Sequence, residues 1–360
     1  MYKPLIFGLL FLLQTATAAR AEPDYAALNQ ALTDAVVLPA YQALADTTEA
    51  LAQAATAACK IPAAERFAGL SRAFVAAMEA WQRAQPLAYG PVTWENRTAR
   101  IHLWPQRDGQ AQAAIERALA DASPVLITPA GLRDAPPVLQ GFGSLEILIF
   151  GMQPMDKVKP IESDYGCALA KAASRSLASL AVEVLEDWHR SGGFREAVAT
   201  AKGGNDSYFD AAEASGDLLR AIVGALDIVI ALKLEPPLGR SINKARPQRA
   251  ESWRSRRSLA NIRANLETAK DLFASPGGFA EQLEAVGARP LADGMAQALE
   301  ESPAMLGQLQ RPLSEAVTNP EHRAQLEVLL DHLRSLRVLA RNQLARELDL
   351  ILGFNATDGD

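Results

Sequence analysis

Apolar residues recur every three to four positions along most of the chain, which is the spacing of one face of an α-helix. The runs end at prolines and glycines, residues that commonly terminate helices. Pro39 falls inside the first run, where we expect a kink or a break. The pattern predicts helices over residues 24–58, 62–85, 109–122, 141–151, 163–189, 212–234, 259–273, 290–313 (in two pieces) and 319–352. We therefore predict an all-α protein.

Composition and length refine this picture. Hydrophobic residues make up 49% of the chain but aromatic residues only 6%, so the apolar content is mainly alanine and leucine, which favour helix. A chain of 360 residues is longer than one hydrophobic core usually serves. Both halves carry an apolar helix, a proline stop, an irregular loop with arginine and tryptophan, and a more polar helix. We predict two antiparallel helical bundles, at residues 22–158 and 159–354, as an internal duplication of a four-helix unit.

The two ends of the chain have patterns of their own. Lys3, an apolar stretch over residues 5–13 and a run of small residues form a secretory signal peptide, which we place at residues 1–21. No cysteine lies near the cleavage point, so we expect a soluble periplasmic protein without a lipid anchor or a transmembrane segment. The apolar helix at 212–234 carries repeated charges, which favour a buried bundle helix over a membrane span. Residues 355–360 are polar, and we predict a disordered tail.

Charge and cysteine content narrow the function classes. The net charge of −6 argues against nucleic acid as a partner. Cys59 and Cys167 are the two cysteines of an exported chain, a setting that favours a disulfide over a metal site. Two unpaired buried thiols remain the alternative.

One carboxylate lies inside the strongly apolar stretch at residues 141–151. A buried, unpaired acid costs several kcal/mol, so Glu146 should have a partner or lie at a functional surface. Gly141 and Gly151 bound the stretch, and Gly143 lies one helical turn before Glu146.

This stretch resembles the signature of the imelysin-like proteins, bacterial periplasmic or surface proteins linked to iron uptake. The family motif reads Gly-x-His-x-x-Glu, followed by an apolar run and a further glycine; Gly141, Glu146 and Gly151 match it. Gly143 occupies the histidine position. A histidine and a glutamate three residues apart could share a metal ion, and glycine cannot. Glu146 is thus the only metal-ligand candidate within the motif.

Two loops rich in arginine and tryptophan, at residues 87–107 and 239–258, also resemble family segments. We predict that they face each other with the Glu146 helix between them and that Arg100 or Arg254 pairs with Glu146. Alternatively, the tryptophans plug a bundle end while the arginines cap helices or pair with nearby acids. The candidate ligand-binding residues are Gly141, Gly143, Glu146, Arg97, Arg100, Trp104, Ser252, Arg254 and Ser255.

Three functions follow from these patterns. The first is a non-catalytic imelysin-like protein that serves iron or metal acquisition by binding a small ligand, or a periplasmic or membrane iron-uptake partner, between the two halves. The second is an imelysin-type metallopeptidase, for which His102 is the only histidine in the loops. The third is a binder of an anionic small molecule or acidic polysaccharide through the second loop. Iron or another divalent metal is the only cofactor that the resemblance suggests, and no complete hydrolase or phosphate-binding motif occurs in the sequence.

Overall fold

The computed structural model describes residues 21–60, 64–152, 159–309 and 311–352, and these ranges contain helices and no strand. The prediction of an all-α protein is confirmed. The predicted signal peptide up to residue 20 and the predicted tail lie outside the described residues. The helices are α1 Tyr25–Leu32, α2 Leu38–Ala58, α3 Ala64–Ala84, α4 Arg97–Ile101, α5 Gln110–Asp121, α6 Pro129–Arg133, α7 Gly141–Phe150, α8 Asp164–His189, α9 Phe194–Thr200, α10 Ala211–Asp227, α11 Glu235–Leu238, α12 Ser258–Ala274, α13 Phe279–Ala285, α14 Arg289–Leu306, α15 Leu313–Ala316, α16 Pro320–Val338 and α17 Ala345–Glu347.

Three of these junctions are π-helical turns rather than breaks. The segment Thr33–Val37 joins α1 to α2 just before Pro39, and the chain stays helical through the proline. A proline removes one backbone donor and crowds the preceding turn, and the wider π turn accommodates both effects. Two further π-helical segments join helices without a break: Ile228–Leu234 joins α10 to α11, and Leu339–Leu344 joins α16 to α17. Pro39 therefore widens the helix locally instead of interrupting it.

The helices pack as two groups of four. In the first group, α2 contacts α3 and α8, and α7 closes the ring by contacting both of these. In the second group, α12 contacts α10 and α14, and α16 closes the ring in the same manner. Contacts of α3 with α12 and of α1 with α10 join the groups. We call them the first and second bundle; their origin by internal duplication stays a prediction.

The position of α8 differs from the predicted division at residues 158 and 159. This helix packs within the first bundle, where Leu177 and Trp188 of its apolar face are buried. The predicted disulfide is present: Cys59 at the end of α2 is bonded to Cys167 in the first turn of α8, with a Cα–Cα distance of 5.7 Å. Sequence order placed α8 after a linker, but its apolar face is complementary to α2.

The helix α10 of the second bundle also packs against α1, and its charges have partners. Asp227 accepts a hydrogen bond from Arg337 of α16 at 3.0 Å, and Asp217 accepts one from the Tyr208 hydroxyl at 2.7 Å. Within the described ranges, no helix combines the length and apolar character that crossing a bilayer would require.

Candidate functional site

A cavity of about 900 Å³ lies between the two bundles. The first bundle contributes α7 and the segment at residues 102–112, and the second contributes residues 231–236 and the loop at 246–254. The two Arg/Trp loops thus face each other beside the Glu146 helix. Of the sequence-predicted residues, the cavity is lined by Gly143, Glu146, Trp104, Ser252, Arg254 and also His102.

Glu146 is buried and makes its contacts across the bundle boundary. Its Oε1 accepts hydrogen bonds from the Ser255 backbone N–H at 2.8 Å and from the Ser255 hydroxyl at 2.6 Å. Burial raises the pKa of Glu146; the Ser255 hydrogen bonds and the charge of Arg254 oppose this rise without cancelling it. The partner expected for a buried acid is therefore present, and it is a serine of the second loop.

Arg254 acts as a bridge at the cavity wall. Its Nε donates to the Met152 carbonyl oxygen at 3.1 Å, and Nη2 approaches the Gln112 Oε1 at 3.4 Å. The guanidinium lies 4.4 Å from the centre of the Trp253 ring, a cation–π contact. These contacts hold a second-bundle cation against two first-bundle segments, where its charge acts on Glu146.

The loop that presents Ser255 is tightly wound. Ser252 and Arg256 have φ of +52° and +60°, values that cost non-glycine residues free energy unless surrounding contacts hold them. Asn261 supplies such contacts: its Nδ2 donates to Glu251 Oε2 at 2.9 Å and to Ser252 Oγ at 3.0 Å. The fold thus fixes the backbone N–H that binds Glu146.

Behind this loop lies a buried polar network that the sequence analysis missed. Lys233 Nζ is 2.9 Å from Glu251 Oε2, and both side chains have at most 1% of their area exposed. Lys233 also donates to Gln85 at 3.0 Å, to Asn265 at 2.6 Å and to Gln82. The available signal was a lone lysine in the otherwise apolar segment Ile228–Leu234. Through these contacts, Lys233 links the π-helical segment after α10 to the second loop, to α3 and to α12.

Gly143 and Gly141 have different roles although both belong to the motif. A Cβ added at Gly143 would have one neighbour within 4 Å, the end of the Gln106 side chain at 3.1 Å, so a side chain fits at this position once Gln106 shifts by a few tenths of an ångström. Gly141 has φ of +60°, and a Cβ there would lie 2.0 Å from the Ile101 carbonyl oxygen. Gly141 therefore allows α7 to begin against α4, and Gly143 leaves space beside Glu146.

His102 lines the cavity but is mainly a buried, neutral group. Its pKa is lowered to about 4, mainly by burial; the charge of Glu251 opposes this shift, and the charge of Lys233 adds to it. Its Nδ1 lies 3.6 Å from Glu251 Oε1, too far for a hydrogen bond. The ring stacks on Trp104, with the ring centres 6.4 Å apart. At neutral pH the contact with Glu251 is thus not an ion pair.

The donor atoms here do not fit a resident metal ion. Within the described residues, no three or more His, Cys, Asp or Glu side chains lie close enough together to hold one. Glu146 Oε1 already accepts two hydrogen bonds from Ser255. A structural or catalytic metal needs about three or four protein ligands. The cavity is therefore better suited to a molecule than to a bare ion.

Four predicted ligand residues do not line this cavity: Gly141 and Ser255, whose contacts are given above, and Arg97 and Arg100. Arg97 is buried and forms a 2.7 Å ion pair with Asp187 of α8, while also donating to the Pro91 carbonyl oxygen at 3.1 Å. Arg100 donates to Gln140, the residue before α7, at 3.3 Å, and lines a different cavity. Arg97 thus agrees with the alternative in which the arginines pair with nearby acids, since it forms an ion pair with Asp187 near the end of α8. Arg100 is not the partner of Glu146.

Comparisons with known proteins agree with this architecture. The Peptidase_M75 (Imelysin) family model matches residues 37–340. Iron-regulated protein A of Synechococcus elongatus is 25% identical over 249 residues, which are 68% of this chain and 63% of that relative. The match thus spans less than two thirds of the relative's length.

Two solved structures show the same fold. An imelysin-like protein from Psychrobacter arcticum 273-4 has a TM-score of 0.77 at 20% identity and covers 93% of this chain and 100% of its own. A structure from Parabacteroides distasonis ATCC 8503 has a TM-score of 0.76 at 17% identity, covering 90% and 96%. Because the family model spans most of the chain, including the α7 signature, this protein belongs to the imelysin family.

Proposed function

We propose that this chain is an exported, periplasmic member of the imelysin family that binds an anionic ligand between its two bundles and serves iron or other metal acquisition without catalysis. The relation to iron-regulated protein A of Synechococcus elongatus supports the iron-related role. A metal ion would then enter the cavity as cargo, already bound to an anionic chelator.

The observation that carries the proposal is the state of the motif within the cavity. Position 143 offers space in place of a ligand side chain, and Glu146 is already hydrogen-bonded to Ser255. Cations outnumber acids along the wall, where Arg107, Arg246 and Arg254 add to the Arg249–Asp108 ion pair of 2.8 Å. Clustered guanidinium groups favour carboxylate and phosphate oxygens.

Titration calorimetry of the mature protein tests the proposal, with ferric citrate, iron-free citrate and free Fe²⁺ and Zn²⁺ as probes. We expect ferric citrate to bind and to raise the melting temperature, because binding to the folded state alone stabilises it. We expect the free metal ions to bind far more weakly. Tight stoichiometric binding of free metal ions with no binding of the chelate contradicts the proposal.

Gly143→Leu probes the cavity itself, because the new side chain fills space beside Glu146. We expect ferric citrate affinity to fall at least tenfold with little change in melting temperature. Gly69→Leu is the control, since this helical glycine of α3 has no neighbour within 4 Å of an added Cβ and lies outside the cavity. If Gly143→Leu binds ferric citrate with the same affinity as wild type, the ligand does not bind in this cavity.

Gly143→His restores the imidazole of the family motif. We expect this variant to gain affinity for Zn²⁺ or Fe²⁺, because a histidine one turn before Glu146 can share a metal ion with it. The metallopeptidase alternative makes a different prediction. It requires chelator-sensitive cleavage of casein by wild type and loss of that activity in Glu146→Gln. Periplasmic location is tested by cell fractionation and by N-terminal sequencing, which should begin at Glu22.

A further inference from the structure

A second cavity, of about 350 Å³, lies on the flank of the first bundle between α4, α6 and α8. It shares no lining residue with the larger cavity. Four cations from these three helices surround it: Arg100, Arg133, Lys171 and Arg175. Glu183 is the one carboxylate among the described lining residues. The whole chain is acidic, with a net charge of −6, so the excess of positive charge at this cavity, as at the larger one, is a local feature.

None of these four cations has a carboxylate partner among the described residues. In the described part of the chain, Arg133, Lys171 and Arg175 form no ion pair, and Arg100 donates only to the neutral Gln140 side chain, at 3.3 Å. Lys171 and Arg175 are one helical turn apart on α8, an arrangement of like charges that destabilises a helix. An anion bound between them would remove this repulsion.

The rest of the cavity wall indicates the chemistry and size of the ligand. Ser176 and Ser179 of α8 bring hydroxyl groups to the wall, and Ile127 and Leu180 bring apolar surface. Guanidinium groups form paired hydrogen bonds with planar or tetrahedral oxyanions. A volume of about 350 Å³ lies at the lower end of the range for small-molecule sites.

The walls of this cavity are held in place without a ligand. Thr128 Oγ1 accepts a hydrogen bond from the Gly131 N–H at 3.1 Å and so caps α6. The Tyr165 hydroxyl of α8 donates to the Ser123 carbonyl oxygen at 2.9 Å, which ties the preceding loop to α8. These contacts hold the backbone of α6 and of the loop before it against α8, so an anion that binds here has to order only the cationic side chains.

We propose that this flank cavity is a binding site for a small multivalent oxyanion, a phosphate or polycarboxylate group that contacts Arg100, Arg133, Lys171 and Arg175. The site is separate from the cavity between the bundles and does not depend on the function proposed for it. The oxyanion can belong to a soluble molecule or to a lipid headgroup.

Calorimetry at low ionic strength tests the proposal with inorganic phosphate and citrate as probes and the mature wild-type protein. The cavity variant is Lys171→Gln/Arg175→Gln, in which we expect at least tenfold weaker binding. The matched control is Arg117→Gln/Lys202→Gln, which removes the same charge from exposed positions outside both cavities and should bind within twofold of wild type.

Glu183→Gln provides a second, opposite readout. Removing the single acid of the wall should strengthen oxyanion binding, an effect that general damage to the fold does not produce. Gly143→Leu, which fills only the larger cavity, separates the two sites when citrate is the probe. Sedimentation with phosphatidylglycerol vesicles distinguishes a lipid headgroup from a soluble anion: binding that is restricted to vesicles and lost in the cavity variant assigns the lipid source.

Two results overturn the proposal. The first is that wild type binds neither inorganic phosphate, nor citrate, nor the vesicles. The second is that the control variant loses as much affinity as the cavity variant, because net charge alone would then explain binding.

Discussion

The Lys233–Glu251 ion pair provides the sharpest test of how the second loop is held in place. Lys233→Met removes the ammonium but keeps most of the side-chain volume. The Glu251 carboxylate, 2.9 Å from Lys233 and with no exposed area, then loses its main counter-charge. It would retain hydrogen bonds from Asn261 at 2.9 Å and from Gln82 at 3.2 Å.

The expected cost follows from burial. Breaking one partner of a buried ion pair typically destabilises a protein by about 3–5 kcal/mol, because the remaining charge is not solvated. For a chain of this size the loss corresponds to a fall of about 6–10 °C in melting temperature, at roughly 2 °C per kcal/mol. Burial lowers the pKa of Lys233, which shows that its charge is poorly solvated. Burial alone would raise the pKa of Glu251, but the charges of Lys233 and His102 and the hydrogen bonds from Lys233 and Asn261 together lower it, so the carboxylate depends on these partners.

Urea unfolding at pH 7, followed by circular dichroism, measures this cost. The matched control is Lys270→Met, since Lys270 forms a 3.0 Å ion pair with Glu300, whose side chain is 72% exposed. Exposed pairs contribute about 0–1 kcal/mol. The double variant Lys233→Met/Glu251→Leu should recover part of the loss, because it removes both buried charges. If Lys233→Met unfolds within about 1 kcal/mol of wild type, the pair is not what anchors the loop, and the reasoning fails.

Three further predictions concern other parts of the fold. His102 has a pKa of about 4 in the folded protein, below its ordinary value of 6.5, so unfolding takes up a proton at any pH between these values. In urea unfolding from pH 7 down to pH 4, the wild-type protein should therefore lose about 3 kcal/mol of stability relative to His102→Gln. Equal pH profiles of the two proteins would contradict burial of the ring. In thermal melts, Gly141→Ala should cost more than about 2 kcal/mol, because φ of Gly141 is +60° and the new Cβ would lie 2.0 Å from a carbonyl oxygen. Gly109→Ala is the control: φ of Gly109 is +74° but its surroundings are open, so we expect a cost of about 1–2 kcal/mol. Reducing the disulfide, whose cysteines are 108 positions apart, should destabilise the protein by roughly 2–5 kcal/mol, measured by urea unfolding with and without reductant; an unchanged midpoint would show that α8 is held by packing alone.

Two features of the candidate site could be anticipated from sequence. An acid inside an apolar helix must find a partner, so Glu146 could be identified without a structure. The glycine at position 143 removes a side chain from the same face, so space in place of the motif histidine could be expected, whereas the cavity itself is formed by the meeting of the two bundles. The serine partner could not be anticipated, because Glu146 and Ser255 are 109 positions apart and no local pattern links them.

The arginines show where local reasoning ends. Arg97, Arg100 and Arg254 lie in similar sequence surroundings, yet Arg97 pairs with Asp187, Arg100 with Gln140, and Arg254 with a carbonyl oxygen of the other bundle. A long charged side chain reaches whichever partner the packing brings near. The sequence gives its chemistry and reach but not its neighbour.

The sequence by itself determined the all-α architecture, most helix limits and the disulfide, because apolar periodicity, proline and glycine positions and cysteine count act over short distances or through chemistry alone. Tertiary structure decided that α8 joins the first bundle, that Ser255 binds Glu146 and that Lys233 meets Glu251 in the core. Each of these contacts depends on how helical faces far apart in the chain pack, and packing is set by the complementarity of whole surfaces rather than by any one segment.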